Sequence, residues 1–254
     1  MRFNPKEHSV FVCGCARNVA PQLPGVLRNF ERIGALFGEA RYGIVENDSS
    51  DNTKEVVAAW CAENPERRSH LDLTGLCLTH KSRTDRLPVC RNALVDEMWK
   101  NPPTFMVMMD MDGICEDPIP EASILSCFEE QPDDWAVMTA NISSQTYDVW
   151  AERSSEVPYD CWKMVWNRPA GMSDKDAVEK YVERHKRHIP KDRPLFEVIS
   201  AFGGLGVYRT KYLTGCRHSK VSSYGTEDVE HCAFNEAIRS NGGKVFINPK
   251  LIIR

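Results

Sequence analysis

The stretch Phe105-Met106-Val107-Met108-Met109-Asp110-Met111-Asp112-Gly113 decides the reading of this chain. Five apolar residues in a row, closed by Asp and Gly, have the length and ending of a strand buried on both faces. Strands of that kind belong to parallel sheets covered by helices. The two carboxylates stand one residue apart at the strand's exit. They point the same way if the extended backbone continues.

Upstream, apolar runs and helical spacings alternate. Ser9 to Cys13 reads as a strand and Pro21 to Phe37 as a helix, with Leu23, Val26, Leu27, Phe30 and Ile33 on one face. Tyr42 to Val45 is a second strand, Thr53 to Ala62 a helix, Leu76 to Thr79 a third strand and Pro88 to Trp99 a helix. Downstream, Ala122 to Phe128 reads as helix and Trp135 to Ala140 as strand. A long polar and aromatic excursion from Glu152 to Pro194 follows, carrying a surface helix over Asp174 to His188. Regular structure returns at Phe202 to Tyr208, in a helix over Glu227 to Ser240, and in a strand at Val245 to Ile247. Alternating strands and helices predict an α/β sandwich with a mainly parallel sheet. Right-handed crossovers bring the carboxyl ends of its strands to one edge, where ligands of such sheets bind.

The 254 residues form a single expected domain, with a nucleotide-binding half at about 9–115 and an acceptor-binding half at about 116–254. Hydrophobic and charged shares of 42% and 27% are those of an ordinary globular chain. A net charge of -4 argues against nucleic acid as partner. No apolar run reaches the length of a membrane span, about 20 residues. The ten cysteines include no C-x-x-C pair and mostly lie in apolar runs, so they read as reduced and structural, which fits a cytoplasmic protein. The abrupt ends fit a domain cut from a longer chain, with any membrane anchor outside it.

Carboxylates at a strand end suit a hard cation, Mn²⁺ or Mg²⁺, that keeps positions open for substrate phosphates. Three landmarks occur in order: the acidic exit of the second strand, Glu46-Asn47-Asp48-Ser49-Ser50-Asp51-Asn52-Thr53; Arg91-Asn92 on the following helix; and Asp110-Met111-Asp112. In this order they resemble the GT-A glycosyltransferases. Closer still is the similarity to the fungal capsule-associated α-mannosyltransferases, carried by Val45 to Thr53, Arg91-Asn92-Ala93-Leu94, Tyr147-Asp148-Val149-Trp150-Ala151-Glu152-Arg153 and Ile247-Asn248-Pro249. The chain departs from that family's Asn-Asp at the metal strand.

The resemblance implies a GT-A sandwich with a Rossmann-like nucleotide-binding sheet, a nucleotide-sugar donor (GDP- or UDP-linked), a glycan acceptor, and in its specific form GDP-mannose used with retention. It assigns the metal to Asp110 and Asp112, with His231 as third ligand and His218 as an alternative. Donor contacts fall on Arg17, Glu46, Asp48, Arg86, Arg91, Asp110, Gly203 and Gly204. Tyr147, Asp148 and Trp150 combine aromatic faces with a carboxylate and are assigned to the acceptor. Gly225-Thr226-Glu227-Asp228-Val229-Glu230-His231 contributes Asp228 or Glu227 as the catalytic carboxylate, a general base in an inverting enzyme and a positioning or stabilising group in a retaining one, with Thr226 as a candidate helix cap. Two rival readings stand beside this one. Asp110 and Asp112 also resemble the nucleophile and acid/base of haloacid-dehalogenase-type phosphatases, although a long strand–helix region precedes them here. A non-catalytic sugar- or nucleotide-binding module on the same fold is the other.

Overall fold

The computed structural model describes residues 3–129, 131–221 and 227–254. Its elements are β1 (Ser9–Ala16), α1 (Leu23–Ala35), β2 (Glu39–Glu46), α2 (Thr53–Ala62), β3 (Arg68–Asp72), α3 (Leu76–Thr79), α4 (Arg83–Trp99), β4 (Phe105–Met109), α5 (Glu121–Leu125), β5 (Trp135–Asn141), α6 (Cys161–Trp166), α7 (Asp174–Tyr181), β6 (Phe196–Val198), β7 (Leu205–Arg209), α8 (Glu230–Ser240) and β8 (Lys244–Ile252). The strands form one eight-stranded sheet in the order β3-β2-β1-β4-β7-β5-β8-β6. β3, β2, β1 and β4 run parallel, as do β5 and β8. β7 lies antiparallel between β4 and β5, and β6 is an antiparallel edge.

The expected α/β sandwich is therefore present, with both halves of the chain contributing to the same sheet. Every residue of β4 is buried because helices cover both faces. One apolar core packs α1, α2 and α5 on one side, and a second packs α4 and α8 on the other. All ten cysteines are free, and eight of them are buried. Among the described residues no helix is long and apolar enough to cross a membrane.

Several boundaries differ from the sequence reading. Leu76 to Thr79 is a helical turn, not a strand, and the third strand is Arg68–Asp72. β3 is a polar, half-exposed edge, so it has no apolar run to announce it. The turn at α3 forms because the Asp48 carboxylate accepts the Gly75 and Cys77 amides at 2.6 and 2.8 Å. α4 begins at Arg83, ahead of Pro88, because Ser82 and Asp85 cap each other's amides. α7 ends at Tyr181, and α8 begins at Glu230 rather than Glu227. Gly225 and Thr226, with the expected cap, lie outside the described residues.

Two close approaches bring the strand ends together. A Cβ on Gly14 would lie 2.6 Å from the Met109 carbonyl oxygen, so β1 can pass the exit of β4 only as glycine. Gly203 and Gly204 hold φ of +66° and +90°. The Gly204 carbonyl accepts the Asp110 amide at 2.8 Å, linking the entry to β7 with the carboxylate strand. A Cβ on Gly203 would sit 2.4 Å from the Ala140 carbonyl oxygen. Gly203→Ala is expected to cost about 1–3 kcal/mol from backbone strain alone. Urea denaturation measures it, and a loss below about 0.5 kcal/mol, within the range of an ordinary surface change, would contradict this account.

Candidate active site

The carboxyl ends of β1 and β4 and the first turns of α4 enclose a cleft of about 220 Å³. Arg17, Arg83, Arg86 and Arg91 line it from one side, and Asp110 and Asp112 from the other. The cleft thus offers cationic groups for an anion beside a carboxylate pair. Asn18 shapes its mouth from a left-handed backbone conformation (φ +53°). Its amide donates to Ser49 Oγ at 3.0 Å, and its Oδ1 accepts the Ser50 amide at 2.7 Å. Asp51 and Thr53 accept the amides of Ala20 and Val19. The polar exit of β2 is therefore fastened to the exit of β1.

That fastening involves two of the residues expected at the donor. Glu46 and Asp48 do not line the cleft. Glu46 is fully buried, with Oε1 accepting the Ser49 amide at 2.8 Å and Oε2 without a hydrogen-bond partner. The Asp48 carboxylate is held by the Cys77 and Gly75 amides, which lower its pKa well below the usual carboxylate range. Both build the loop, while Asn47, between them, reaches the cleft. Arg86 lines the cleft with one guanidinium nitrogen donating to the His80 and Lys81 carbonyls.

Arg91 has a different role from a free anion grip. It is 5% exposed and lies 3.2 Å from Glu230 Oε1 and 3.5 Å from Asp110 Oδ1, above the Phe202 ring at 4.7 Å. Burial opposes its charge, but Glu230 and Asp110 more than offset this and raise its pKa above the ordinary value. The arginine orients Asp110 from behind.

Asp110 stands partly buried at the end of β4. Burial raises its carboxyl to about 7, against the opposing effect of Arg91 and with help from Asp112 and Asp148. Asp112 accepts the Ile114 amide at 3.1 Å, which closes the turn after the strand. Asp148 is brought to the same place by a turn in which its Oδ1 accepts the Ala151 amide at 3.2 Å. Burial raises Asp148 to about 6; the Ala151 amide works against this and the Glu230 charge adds to it. Tyr147, 44% exposed, is raised first by burial and then by Asp110, Asp112 and Asp148. The four side chains therefore share one electrostatic environment. Gly203 joins Tyr147 and Asp148 around a small adjoining recess. Trp150 lies at the far end of the same turn, with its buried Nε1 unpartnered.

The late acidic motif divides differently from expectation. Asp228 accepts Arg153 Nη2 at 2.5 Å and the Val229 amide at 2.8 Å, and Asp160 also approaches Arg153, at 3.4 Å. Glu227 is exposed in a bridge to Val221. Because α8 starts three residues later than its charge pattern implies, Glu230 is the acid that turns inward to Arg91. The sequence reading missed Glu230 even though it lies within the same motif; only the helix start identifies which of the three acids faces the site. His231 is enclosed in the fold. Its ring is 2% exposed, stacked on Phe202 at 4.0 Å and edge-on to His218 at 5.5 Å. Burial, then Arg91, lower its pKa well below the ordinary value. Among the described residues no three His, Cys, Asp or Glu side chains are grouped so as to hold a metal.

The fold is that of the GT-A glycosyltransferases. A mannosyltransferase from Pyrobaculum calidifontis, solved with GDP-Man and Mn²⁺, superposes with a TM-score of 0.52 at 11% identity, over 96% of this chain and 56% of that one. GalNAc-T7, solved with UDP, GalNAc and Mn²⁺, gives 0.55 at 10% identity over 96% and 43%. Residues 1–349 of TarS from S. aureus give 0.50 at 11% identity over 94% and 57%. The chain thus spans about half the length of these three proteins. No family model matches the sequence, and no curated protein does.

Two outcomes test this geometry. Arg91→Met leaves Glu230 and Asp110 facing each other without their cation, and a stability loss of about 3–5 kcal/mol is expected in urea denaturation. Asp148 has a folded-state pKa above its unfolded value, so the native state retains a proton that the unfolded chain releases. Its contribution therefore falls as pH rises from about 4 to about 6. Asp148→Asn keeps the acceptor for Ala151 and removes the charge. The variant is expected to match the parent at pH 4 and to exceed it by roughly 2–3 kcal/mol at pH 8; a difference independent of pH contradicts the assignment.

Proposed function

We propose that this chain is a metal-dependent glycosyltransferase domain that moves a hexose from a nucleotide-sugar to a glycan acceptor. The observation that carries the reading is the meeting of Asp110, Asp112 and Asp148 beside an arginine-lined cleft at the carboxyl ends of a parallel sheet. The cleft's cations suit a diphosphate, and Arg17, Arg83 and Arg86 are the groups free to approach one. The oxygen-only donor set of Asp110 and Asp112 fits Mn²⁺ or Mg²⁺, with the remaining positions left for diphosphate and water. A divalent ion held by Asp110 and Asp112 would offset the charge that develops on the departing nucleoside diphosphate.

In the reaction, the anomeric carbon–phosphate oxygen bond breaks and a bond to an acceptor hydroxyl forms. The acceptor's proton leaves with the displaced diphosphate or to a nearby base. Asp148, with a carboxyl near 6, and Tyr147 stand where sugar hydroxyls would be held. Arg91, pinned by Glu230, keeps Asp110 in position. In its specific form the donor is GDP-mannose and the anomeric configuration is retained; the sequence similarity to the capsule-associated mannosyltransferases supports both. The GT-A fold favours this reading over a phosphatase with Asp110 as nucleophile. A non-catalytic binding module would share the fold and binding surface but lack transfer.

Thermal denaturation with nucleoside diphosphates, each with and without Mn²⁺, tests the proposal. GDP with Mn²⁺ is expected to raise the melting temperature, since a ligand of the native state stabilises by mass action. Asp110→Ala and Asp112→Ala should fold and lose the metal-dependent part. A shift with UDP alone would retain the class and discard mannose. Equal nucleotide affinity with and without divalent metal would refute the proposal, and binding without transfer of sugar to any acceptor would leave the binding module.

A further inference from the structure

The segment between β5 and β6 builds a surface that the cleft does not use. Asp160 caps α6, its Oδ1 accepting the Trp162 and Lys163 amides at 2.9 and 3.0 Å. Cys161 and Val165 turn inward, into a small apolar cluster with Val149, Val157, Ala177 and Tyr181. Trp162 and Trp166, four residues apart, are neighbours on the helix, Trp162 half-buried against this cluster and Trp166 exposed. Their rings lie 6.5 Å apart at 28°. Trp150 meets Trp166 edge-on at 6.2 Å and 90°. Trp166 is 59% exposed, so the cluster beneath it is complete without burying its ring.

Two features point to a ligand. The Trp150 Nε1 is buried without a hydrogen-bond partner, although a buried indole N–H ordinarily has one. The indoles also continue from the acidic site, because Trp150 is two residues from Asp148 in the turn closed by the Ala151 amide. Lys163 follows Trp162 on α6, and its charge reaches Asp228. Flat indole faces with charged neighbours suit a pyranose, which presents a face of C–H groups and a rim of hydroxyls. A protein partner would call for a larger continuous apolar patch.

We propose that Trp150, Trp162 and Trp166 form a distal subsite that stacks a pyranose ring of the acceptor, away from the hydroxyl that reacts. This assignment rests on the glycosyltransferase reading for its reaction, but binding to the subsite is measurable without it. Intrinsic tryptophan fluorescence is titrated with mannotriose, cellotriose and lactose on the whole chain. At least one is expected to give a saturable change, weakened about tenfold or more in Trp166→Ala and in Trp162→Ala and partly restored in Trp166→Phe. The Mn²⁺-dependent nucleotide shift in melting temperature should be unchanged in these variants.

Equal saccharide affinity in parent and variants, or no saturable response to any of the three, overturns the proposal. Self-association in sedimentation that Trp166→Ala abolishes, with no saccharide binding, would assign the surface to a second copy and also overturn it. Saccharide binding lost in Trp166→Ala, together with no nucleotide shift in the parent, would keep the subsite and remove the glycosyltransferase reading. A nucleotide shift without saccharide binding would remove the subsite alone.

Discussion

Arg91 is a buried cation between two carboxylates, Glu230 from the start of α8 and Asp110 from the end of β4. A guanidinium at this depth is tolerated only with such partners, since an unpaired buried charge costs several kcal/mol. The triad joins α4, the central strand and the last helix, elements that are far apart in the chain. It also sets the chemistry of the cleft. Asp110 is oriented from behind by a cation that cannot leave, so its outer face is available to a ligand while its charge is partly compensated.

The surrounding acids behave as a set. Burial raises both Asp110 and Asp148, with Asp112 and Asp148 adding to the first and Glu230 to the second, so ionising them carries an electrostatic cost. Perturbed carboxylates of this kind cluster at functional sites. Other acids of the same neighbourhood are structural. Asp48 is consumed by backbone amides and Asp228 by Arg153, and each holds a loop against the site rather than facing into it.

Glycine makes the convergence sterically possible. Gly14 lets β1 pass the exit of β4, and the left-handed pair Gly203 and Gly204 turns the chain into β7 while its carbonyl holds the Asp110 amide. The fold of the GT-A enzymes, which the ordered motifs already implied, is reached here at about 10–11% identity to the solved neighbours.

Much of this was legible in the order of residues. The apolar run ending in Asp110-Met111-Asp112 announced a doubly covered strand with carboxylates at its exit, because burial on both faces requires an unbroken apolar stretch. The alternation before it determined a mainly parallel sheet, and chain direction placed the exits of the first, second and carboxylate strands at one edge, while the family resemblance supplied Arg91. β3 escaped notice because an edge strand with exposed residues needs no apolar pattern. Only the tertiary structure decided which acid of Glu227, Asp228 and Glu230 faces inward, that Asp48 caps a turn, that His231 lies stacked on Phe202, and that Arg91 is held by two carboxylates. Those outcomes depend on where a helix begins and on partners distant in sequence, and neither is written in local spacing.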